Sequence, residues 1–168
     1  MEGKTCCFIG HRTIINESII RQKINETVQM LIKIGVSTFY FGSKSAFDNI
    51  ALEIVSEIKK QNSNIKRVYV RSYASYIDKT YKDYLLQLYD DTFMPAGIER
   101  AGKASYVERN QKMVELSDFC VFYYNTDYVP PSKRNNIAKN YQPNSGTQLA
   151  YEYAKRKKKT IINVYQSF

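Results

Sequence analysis

Residues 5–42, TCCFIGHRTIINESIIRQKINETVQMLIKIGVSTFYFG, contain the pattern that decides the fold. Thr5–Ile9 is a short apolar run that ends at Gly10, as expected for a buried strand followed by a tight turn. The next residues repeat apolar side chains at every third or fourth position, which indicates a helix with one face on a core. A second apolar run, Thr38–Phe41, ends at Gly42. The segment therefore predicts a strand, a helix and a second strand in succession.

The rest of the chain repeats this alternation. Further strands are predicted at Ile65–Val70, Phe119–Tyr123 and Thr160–Val164. Further helices are predicted at Phe47–Ile58, at Tyr76–Tyr89, from Ser105 onward and at Ser145–Lys157. This order predicts an α/β, Rossmann-like doubly wound fold, with a mainly parallel sheet of about five strands and helices on both faces. We expect residues 1–168 to form a single domain with one core.

Two segments show no regular period. Residues 90–104 contain Pro95 and two glycines, and are predicted to form a loop that covers a site. Residues 125–144 contain three prolines and several asparagines, and are predicted to be irregular. A long irregular loop within a compact domain is usually functional or disordered.

The charge balance favours anionic partners. The 168 residues include 25 Lys and Arg against 16 Asp and Glu, which gives a net charge of +9 and a pI near 9.4. The densest basic run, Lys155–Lys159, closes a predicted helix, where cations complement the negative end of the helix dipole. We therefore interpret that run as a solvated helix end rather than as a nucleic-acid-binding surface.

The cysteines and the hydropathy point to the cytoplasm. Cys6, Cys7 and Cys120 lie in apolar runs, which is typical of buried, reduced thiols. With His11 as the single histidine, no metal-ligand spacing is present, and we expect neither a metal nor another cofactor. No apolar stretch approaches the ~20 residues that span a bilayer, so we expect no membrane helix and no signal peptide.

Polar residues follow the first predicted strand. Gly10 lets a ligand approach the backbone, His11 can donate or accept a hydrogen bond near neutral pH, and Arg12 can bind phosphate. The alternative is a turn with two exposed polar side chains.

A similar group follows the second strand. Gly42 and Ser43 offer backbone N–H groups to an anion, and Asp48 can accept hydrogen bonds from ribose hydroxyls. The alternative is that Asp48 only stabilises the positive end of its own helix.

Arg109 and the segment Ser145, Gly146, Thr147 are predicted to be two halves of one phosphate site. A guanidinium fork, free N–H groups at a helix start and a hydroxyl all suit a phosphate. The alternative is that Ser145 is only a helix cap and Arg109 a solvated charge. Asn110 has helical spacing to apolar residues, which predicts an inward-facing amide that needs a partner.

Four short segments resemble one known superfamily. They are CFIGHR (7–12), FGSKSAFD (41–48), ERNQKMVELSD (108–118) and SGTQLA (145–150). They resemble the SLOG superfamily, a Rossmann-like group that includes the LOG phosphoribohydrolases and the DprA/Smf proteins, and are most similar to an uncharacterised branch in bacteria and phages. The resemblance implies a pocket for a nucleotide-derived ligand and a homo-oligomer in which a second subunit completes the pocket.

The LOG enzymes cleave the bond between ribose and base with two motif residues. One is an arginine in a glutamate-arginine-lysine helix, which Glu108 and Arg109 match, with Asn110 in place of lysine. The other is a glutamate three positions after the threonine of a glycine-rich turn, where this chain has Ala150. Glu108 and Arg109 are thus predicted to be catalytic only if the protein is an enzyme.

Three functions follow from these patterns. The leading hypothesis is the binding of a phosphorylated, nucleotide-derived small molecule, such as a nucleotide or an ADP-ribose-type signal, at the carboxyl ends of the strands, with Phe47 or Tyr124 stacking on its base. The second is an N-glycosidase or phosphoribohydrolase of LOG type. The third, which we favour least, is a DprA-type protein that binds single-stranded nucleic acid.

Overall fold

Strands and helices alternate through the described part of the chain, as the sequence predicts. The computed structural model describes residues 2–72, 79–128 and 145–165. The strands are β1 Lys4–Gly10, β2 Val36–Phe41, β3 Lys66–Val70, β4 Asp91–Phe93, β5 Phe119–Tyr123 and β6 Thr160–Asn163. The helices are α1 Glu17–Lys33, α2 Ala46–Lys59, α3 Lys79–Leu88, α4 Ser105–Leu116 and α5 Gly146–Arg156, with a 3-10 helix at Ile98–Ala104.

The six strands form one parallel sheet in the order β4-β3-β2-β1-β5-β6. The predicted doubly wound α/β fold is confirmed. β1 lies at the centre, where Cys7 pairs with Tyr40 of β2 on one side and Cys120 of β5 on the other. Right-handed crossovers place α1, α2 and α3 on one face and α4 and α5 on the other. Strands β2 to β4 are added on one side of β1, and β5 and β6 on the other. The strand order therefore reverses between β1 and β5, and ligands bind at this position in such sheets.

Aromatic rings fill the core beneath α1 and α2. Phe8 of β1 lies 5.2 Å from Phe41 and 5.8 Å from Phe39 between ring centroids, and Phe47 of α2 meets it edge-on at 6.2 Å. These four rings are at most 1% exposed. Helix α1 covers them with its apolar face, whose buried residues are Ile20, Ile24, Val28 and Leu31.

The opposite face of the sheet packs against α4 and α5. Cys7 and Cys120 lie there with Met113 of α4 and Ala150 of α5. All three cysteines are free and fully buried, as predicted. Burial raises the pKa of Cys6 and of Cys7, so these thiols stay protonated.

The structure corrects the prediction for residues 90–104. The sheet has six strands because Asp91–Phe93 pairs with β3, and a 3-10 helix follows where a covering loop was expected. A segment of three residues is too short to show the alternation of apolar and polar side chains that indicates a strand. Its pairing with β3 makes it a strand, and Thr92 Oγ1 also donates to the Tyr69 carbonyl of β3 at 2.8 Å. Of the predicted irregular segment 125–144, residues 129–144 lie outside the described ranges.

Within the described ranges, no helix combines the length and the apolar character that a bilayer-spanning segment requires.

Candidate functional site

Arg109 lies under the carboxyl ends of the central strands. Its side chain is only 8% exposed, so the alternative of a solvated surface charge is wrong. The aliphatic part of the Arg109 side chain packs on Gly42 at the end of β2. A Cβ atom added to Gly42 would lie 2.9 Å from Arg109 Cδ and Nε. Arg109 Nε donates to Asn110 Oδ1 at 3.1 Å. Asn110 is 8% exposed and therefore faces inward, as its helical spacing predicts.

The Arg109 guanidinium combines burial with few protein partners. Burial lowers its pKa, while the neighbouring Tyr69, Asp48 and Tyr81 raise it. An arginine with an ordinary pKa above 12 stays charged under these conditions. No other hydrogen bond joins Arg109 to a described residue, so its two terminal NH2 groups are the donors that an anion would bind.

Helix α5 begins beside this arginine. Ser145 caps it by accepting a hydrogen bond from the Gln148 amide at 3.0 Å, as the alternative for Ser145 proposed. The amides of Gly146 and Thr147 donate to no group in the described ranges. A Cβ atom at Gly146 would lie 3.9 Å from Asn110 Nδ2. Asn110 thus contacts Arg109 with its amide oxygen and has its amide nitrogen near the start of α5.

Asp48 is buried in the first turn of α2, next to the helix cap Ser45. Its carboxylate is 2% exposed, and Oδ2 accepts from the hydroxyls of Ser43 and Ser45, each at 2.6 Å. The Asp48 amide donates to Ser45 Oγ at 3.1 Å, and the Ala46 amide donates to the Arg12 carbonyl at 3.0 Å. These contacts match the alternative in which Asp48 stabilises its own helix.

Asp48 nevertheless keeps one free oxygen. No described residue donates a hydrogen bond to Asp48 Oδ1, although that atom is buried. Burial raises the pKa of Asp48 to about 6, against the opposing effects of the Ser43 and Ser45 hydroxyls, the Arg109 charge and the nearby Gly42 amide. The carboxyl group is therefore poised to receive a proton or a hydrogen-bond donor.

The raised pKa of Asp48 predicts a pH effect on stability. The folded state binds the proton more tightly than the unfolded chain, so this contribution favours folding below about pH 4 and is lost as the pH rises to about 6. From pH 4 to pH 7, Asp48→Asn should gain about 2–3 kcal/mol of unfolding free energy relative to wild type, since one pKa unit is about 1.4 kcal/mol. Urea denaturation at both pH values measures this difference.

His11 lies at the carboxyl end of β1 and contacts the loop after β5. It is 2% exposed, its Nε2 accepts from the Asn125 amide at 3.0 Å, and its ring stacks on Tyr128 at 3.9 Å between centroids. Because Nε2 accepts, we assign the proton to Nδ1. Burial lowers the pKa of His11 to about 4. The ring therefore stays neutral near pH 7 and joins the loops after β1 and β5 by accepting a hydrogen bond, one of the two roles expected of it.

His11 supplies the control for the pH experiment, because its contribution has the opposite sign. Its folded pKa of about 4 lies below the ordinary 6.5, so its contribution is present above pH 6.5 and is lost as the pH falls towards 4. The two groups offset each other in the wild type. Asp48→Asn should thus lose stability on acidification more steeply than wild type, and parallel pH profiles would contradict the raised pKa of Asp48.

Several buried polar atoms at this edge of the sheet have no hydrogen-bond partner among the described residues. They include His11 Nδ1 after β1, Asp48 Oδ1 after β2, Arg71 Nε after β3 and Tyr128 Oη after β5. Such atoms are rare in folded proteins and each calls for a partner. Sequence reasoning missed Arg71, although its position directly after a strand, like that of Arg12, is a usable signal.

Other predicted residues lie at the edge without reaching inward. The side chains of Arg12 and Glu108 are exposed and make no hydrogen bond to a described residue. Ala150 is 1% exposed and belongs to the core, where the LOG motif has a glutamate. Phe47 is fully buried, so the expectation that it stacks on a base is wrong. Tyr124 packs against Tyr151, with ring centroids 4.6 Å apart.

A cleft of ≈ 690 Å³ lies on the other flank of α5, beside β6. Its lining is Tyr124, Asn125, Thr126, Asp127, Tyr151, Glu152, Lys155, Asn163 and Tyr165. The predicted phosphate-binding residues do not line it. Among the described residues, no group of three or more His, Cys, Asp or Glu side chains is placed to hold a metal ion.

The basic run at the end of α5 is engaged in local structure. Lys159 Nζ donates to the carbonyls of Glu115 and Ser117 at the end of α4, at 3.2 and 2.9 Å. Arg156 and Lys157 lie over the Tyr153 ring, at 5.6 and 5.5 Å from its centroid. These contacts agree with the interpretation of the run as a helix end.

Comparison of the sequence with protein-family models gave no match, and neither did comparison with curated proteins. The resemblance to the SLOG superfamily therefore rests on the four short segments, and the function is argued from the site.

Proposed function

We propose that this protein binds a phosphorylated, nucleotide-derived small molecule at the carboxyl ends of its central strands. One observation carries the proposal. The buried Arg109 donates from Nε to Asn110 and from its NH2 groups to no described residue, and Asn110 lies near the start of α5, where two amides donate to no described residue. Helix starts and arginine forks are the two devices that proteins use most directly to bind phosphate.

The phosphate occupies the space between the guanidinium and α5. Arg109 supplies charge-assisted hydrogen bonds, and the amides of Gly146 and Thr147 supply neutral ones. The Asn110 interaction fixes the orientation of the guanidinium before the ligand arrives. Burial strengthens these interactions because little water competes for the donors.

The sugar lies on the Asp48 side of Arg109. Asp48 Oδ1 is a buried acceptor without a described partner, and its charge interacts with Arg109. A ribose hydroxyl is a donor that satisfies this oxygen. One ligand that carries a phosphate and a ribose would thus use both of the unsatisfied groups.

Removing the Arg109 guanidinium should abolish most of the affinity for the phosphorylated ligand. Arg109→Met keeps the aliphatic packing on Gly42 but removes the charged hydrogen bonds, so the Kd for AMP or ADP-ribose should rise about 10- to 100-fold. Isothermal titration calorimetry with both ligands measures the change. Thr147→Val, which loses only a hydroxyl, should have a smaller effect in the same direction.

The matched control is Arg156→Met. It removes the same charge from an exposed position at the far end of α5, about 15 Å along the helix from Gly146. Its affinity should equal that of wild type. Equal affinities in all three proteins would refute the proposal, and equal losses in both arginine variants would show that net charge alone attracts the ligand.

A second candidate function is N-glycoside hydrolysis, and the raised pKa of Asp48 is the observation that favours it. A carboxyl with a pKa of about 6 beside a phosphate-binding arginine can act as an acid or base near neutral pH. In that reaction the bond between ribose C1′ and the base nitrogen breaks, water adds its hydroxyl to C1′, and its proton goes to the base. Chromatography for free base after incubation with nucleoside monophosphates tests this, with Asp48→Asn as the inactive variant.

A further inference from the structure

Tyr106 is an exposed aromatic residue at the edge where the proposed phosphate site lies. It occupies the first turn of α4 and is 47% exposed. The other large apolar side chains that are exposed in the described ranges belong to α1, α3 or the residues that flank α1, so Tyr106 is the one on the face formed by α4 and α5. Its hydroxyl makes no hydrogen bond to a described residue.

The Tyr106 ring lies against the start of α5. A Cβ atom at Gly146 would lie 3.4 Å from Tyr106 Cε2 and 3.7 Å from Cδ2. The ring thus lies next to the first residue of α5, the helix whose first two amides donate to no described residue. Tyr106 and Asn110 are four residues apart and so share one face of α4, with Arg109 beside them. An aromatic ring, an amide and a guanidinium therefore follow one another along the helix.

The alternative aromatic partners for a base are unsuitable. Phe47 is fully buried in the core, and Tyr124 is occupied by Tyr151. The exposed Tyr106 ring is left as the flat apolar surface next to the phosphate donors. Bases stack on such rings with little dependence on their identity, because every base offers a π face.

We propose that Tyr106 is the platform on which the base of the ligand stacks, an inference that rests on the proposed function. The site then selects compounds that carry an aromatic base together with a phosphate over sugar phosphates that lack one. Tyr106 contributes binding energy only when a base is present, while Arg109 contributes in both cases.

Calorimetry with two ligands tests this role. AMP carries phosphate, ribose and base, whereas ribose 5-phosphate lacks only the base. For Tyr106→Ala the Kd for AMP should rise about tenfold, as expected for the loss of one stacking contact, and the Kd for ribose 5-phosphate should stay at the wild-type value. Tyr106→Phe keeps the ring and should bind both ligands like wild type.

The outcomes separate the stacking role from the site itself. Unchanged AMP affinity in Tyr106→Ala, or an equal loss for both ligands, would overturn the stacking role and leave the phosphate site intact. Wild-type binding of ribose 5-phosphate as tight as that of AMP would do the same. If wild type binds neither AMP, the other nucleoside monophosphates nor ribose 5-phosphate, both proposals fail. Thermal denaturation verifies that the exposed substitution leaves the fold unchanged.

Discussion

Truncation of Phe8 to alanine is expected to lower the free energy of unfolding by about 3–5 kcal/mol, the range found for large aromatic side chains in cores. Phe8 is 1% exposed in the central strand, and its ring contacts those of Phe39, Phe41 and Phe47. The surrounding rings belong to neighbouring strands and to α2, so they cannot all collapse into the cavity. A domain is typically stable by only about 5–15 kcal/mol, so the variant should unfold at a much lower urea concentration.

The measurement is urea denaturation followed by far-ultraviolet circular dichroism, since the chain contains no tryptophan. Phe8→Leu keeps most of the volume and should lose clearly less stability. Tyr84→Ala removes an aromatic ring that is 44% exposed and should change the stability by about 0.5 kcal/mol or less. A loss for Phe8→Ala no greater than that of Tyr84→Ala would show that the aromatic cluster does not hold the sheet to α2.

Addition of one methyl group at Gly10 should produce the second large effect. A Cβ atom there would lie 2.4 Å from Phe47 Cδ1, 2.6 Å from Cγ and 2.9 Å from Cβ. Phe47 is fully buried and its ring also stacks on Tyr123 at 5.9 Å, so it has no free space into which to move. Gly10→Ala is expected to destabilise the protein by about 1–3 kcal/mol or more through this overpacking.

A double-mutant cycle identifies the cause. Phe47→Ala alone removes core volume, but together with Gly10→Ala it gives the new methyl group room. The double variant should therefore be more stable than the sum of the single losses predicts, by more than the ~0.5 kcal/mol within which independent sites add. Strict additivity would show that the Gly10 effect arises from the backbone and not from contact with Phe47.

The alternation of strands and helices was predictable because local periodicity records which side of a segment is buried. The apolar run at Phe119–Tyr123 coincides with β5. Of the apolar period predicted for the first helix, four residues are buried on α1, whereas the fifth, Ile34, follows the helix and is 43% exposed. The short strand Asp91–Phe93 escaped prediction since its pairing with β3, and not its own three residues, makes it a strand.

The candidate site was predictable in its positions but not in its chemistry. Arg109, Gly146 and Asp48 were identified because helix starts and strand ends have recognisable residue types. Whether the Arg109 guanidinium is solvated or buried against Gly42 depends on a contact between α4 and the end of β2, and these two elements are far apart in the sequence. The same holds for Tyr106, which becomes a candidate only through its contact with α5.

By itself, the amino-acid sequence determined the order of elements, the parallel sheet and the polar residues that end its strands, because these properties depend on neighbours within about one turn or one strand. Only the tertiary structure decided which polar groups are buried, which lack partners and how their pKa values shift. His11 illustrates the reason, since its bond to Asn125 joins residues 114 positions apart and burial there keeps the ring neutral. The burial and the pKa of a side chain depend on residues that distant segments place around it, and a local sequence pattern does not show which residues those are.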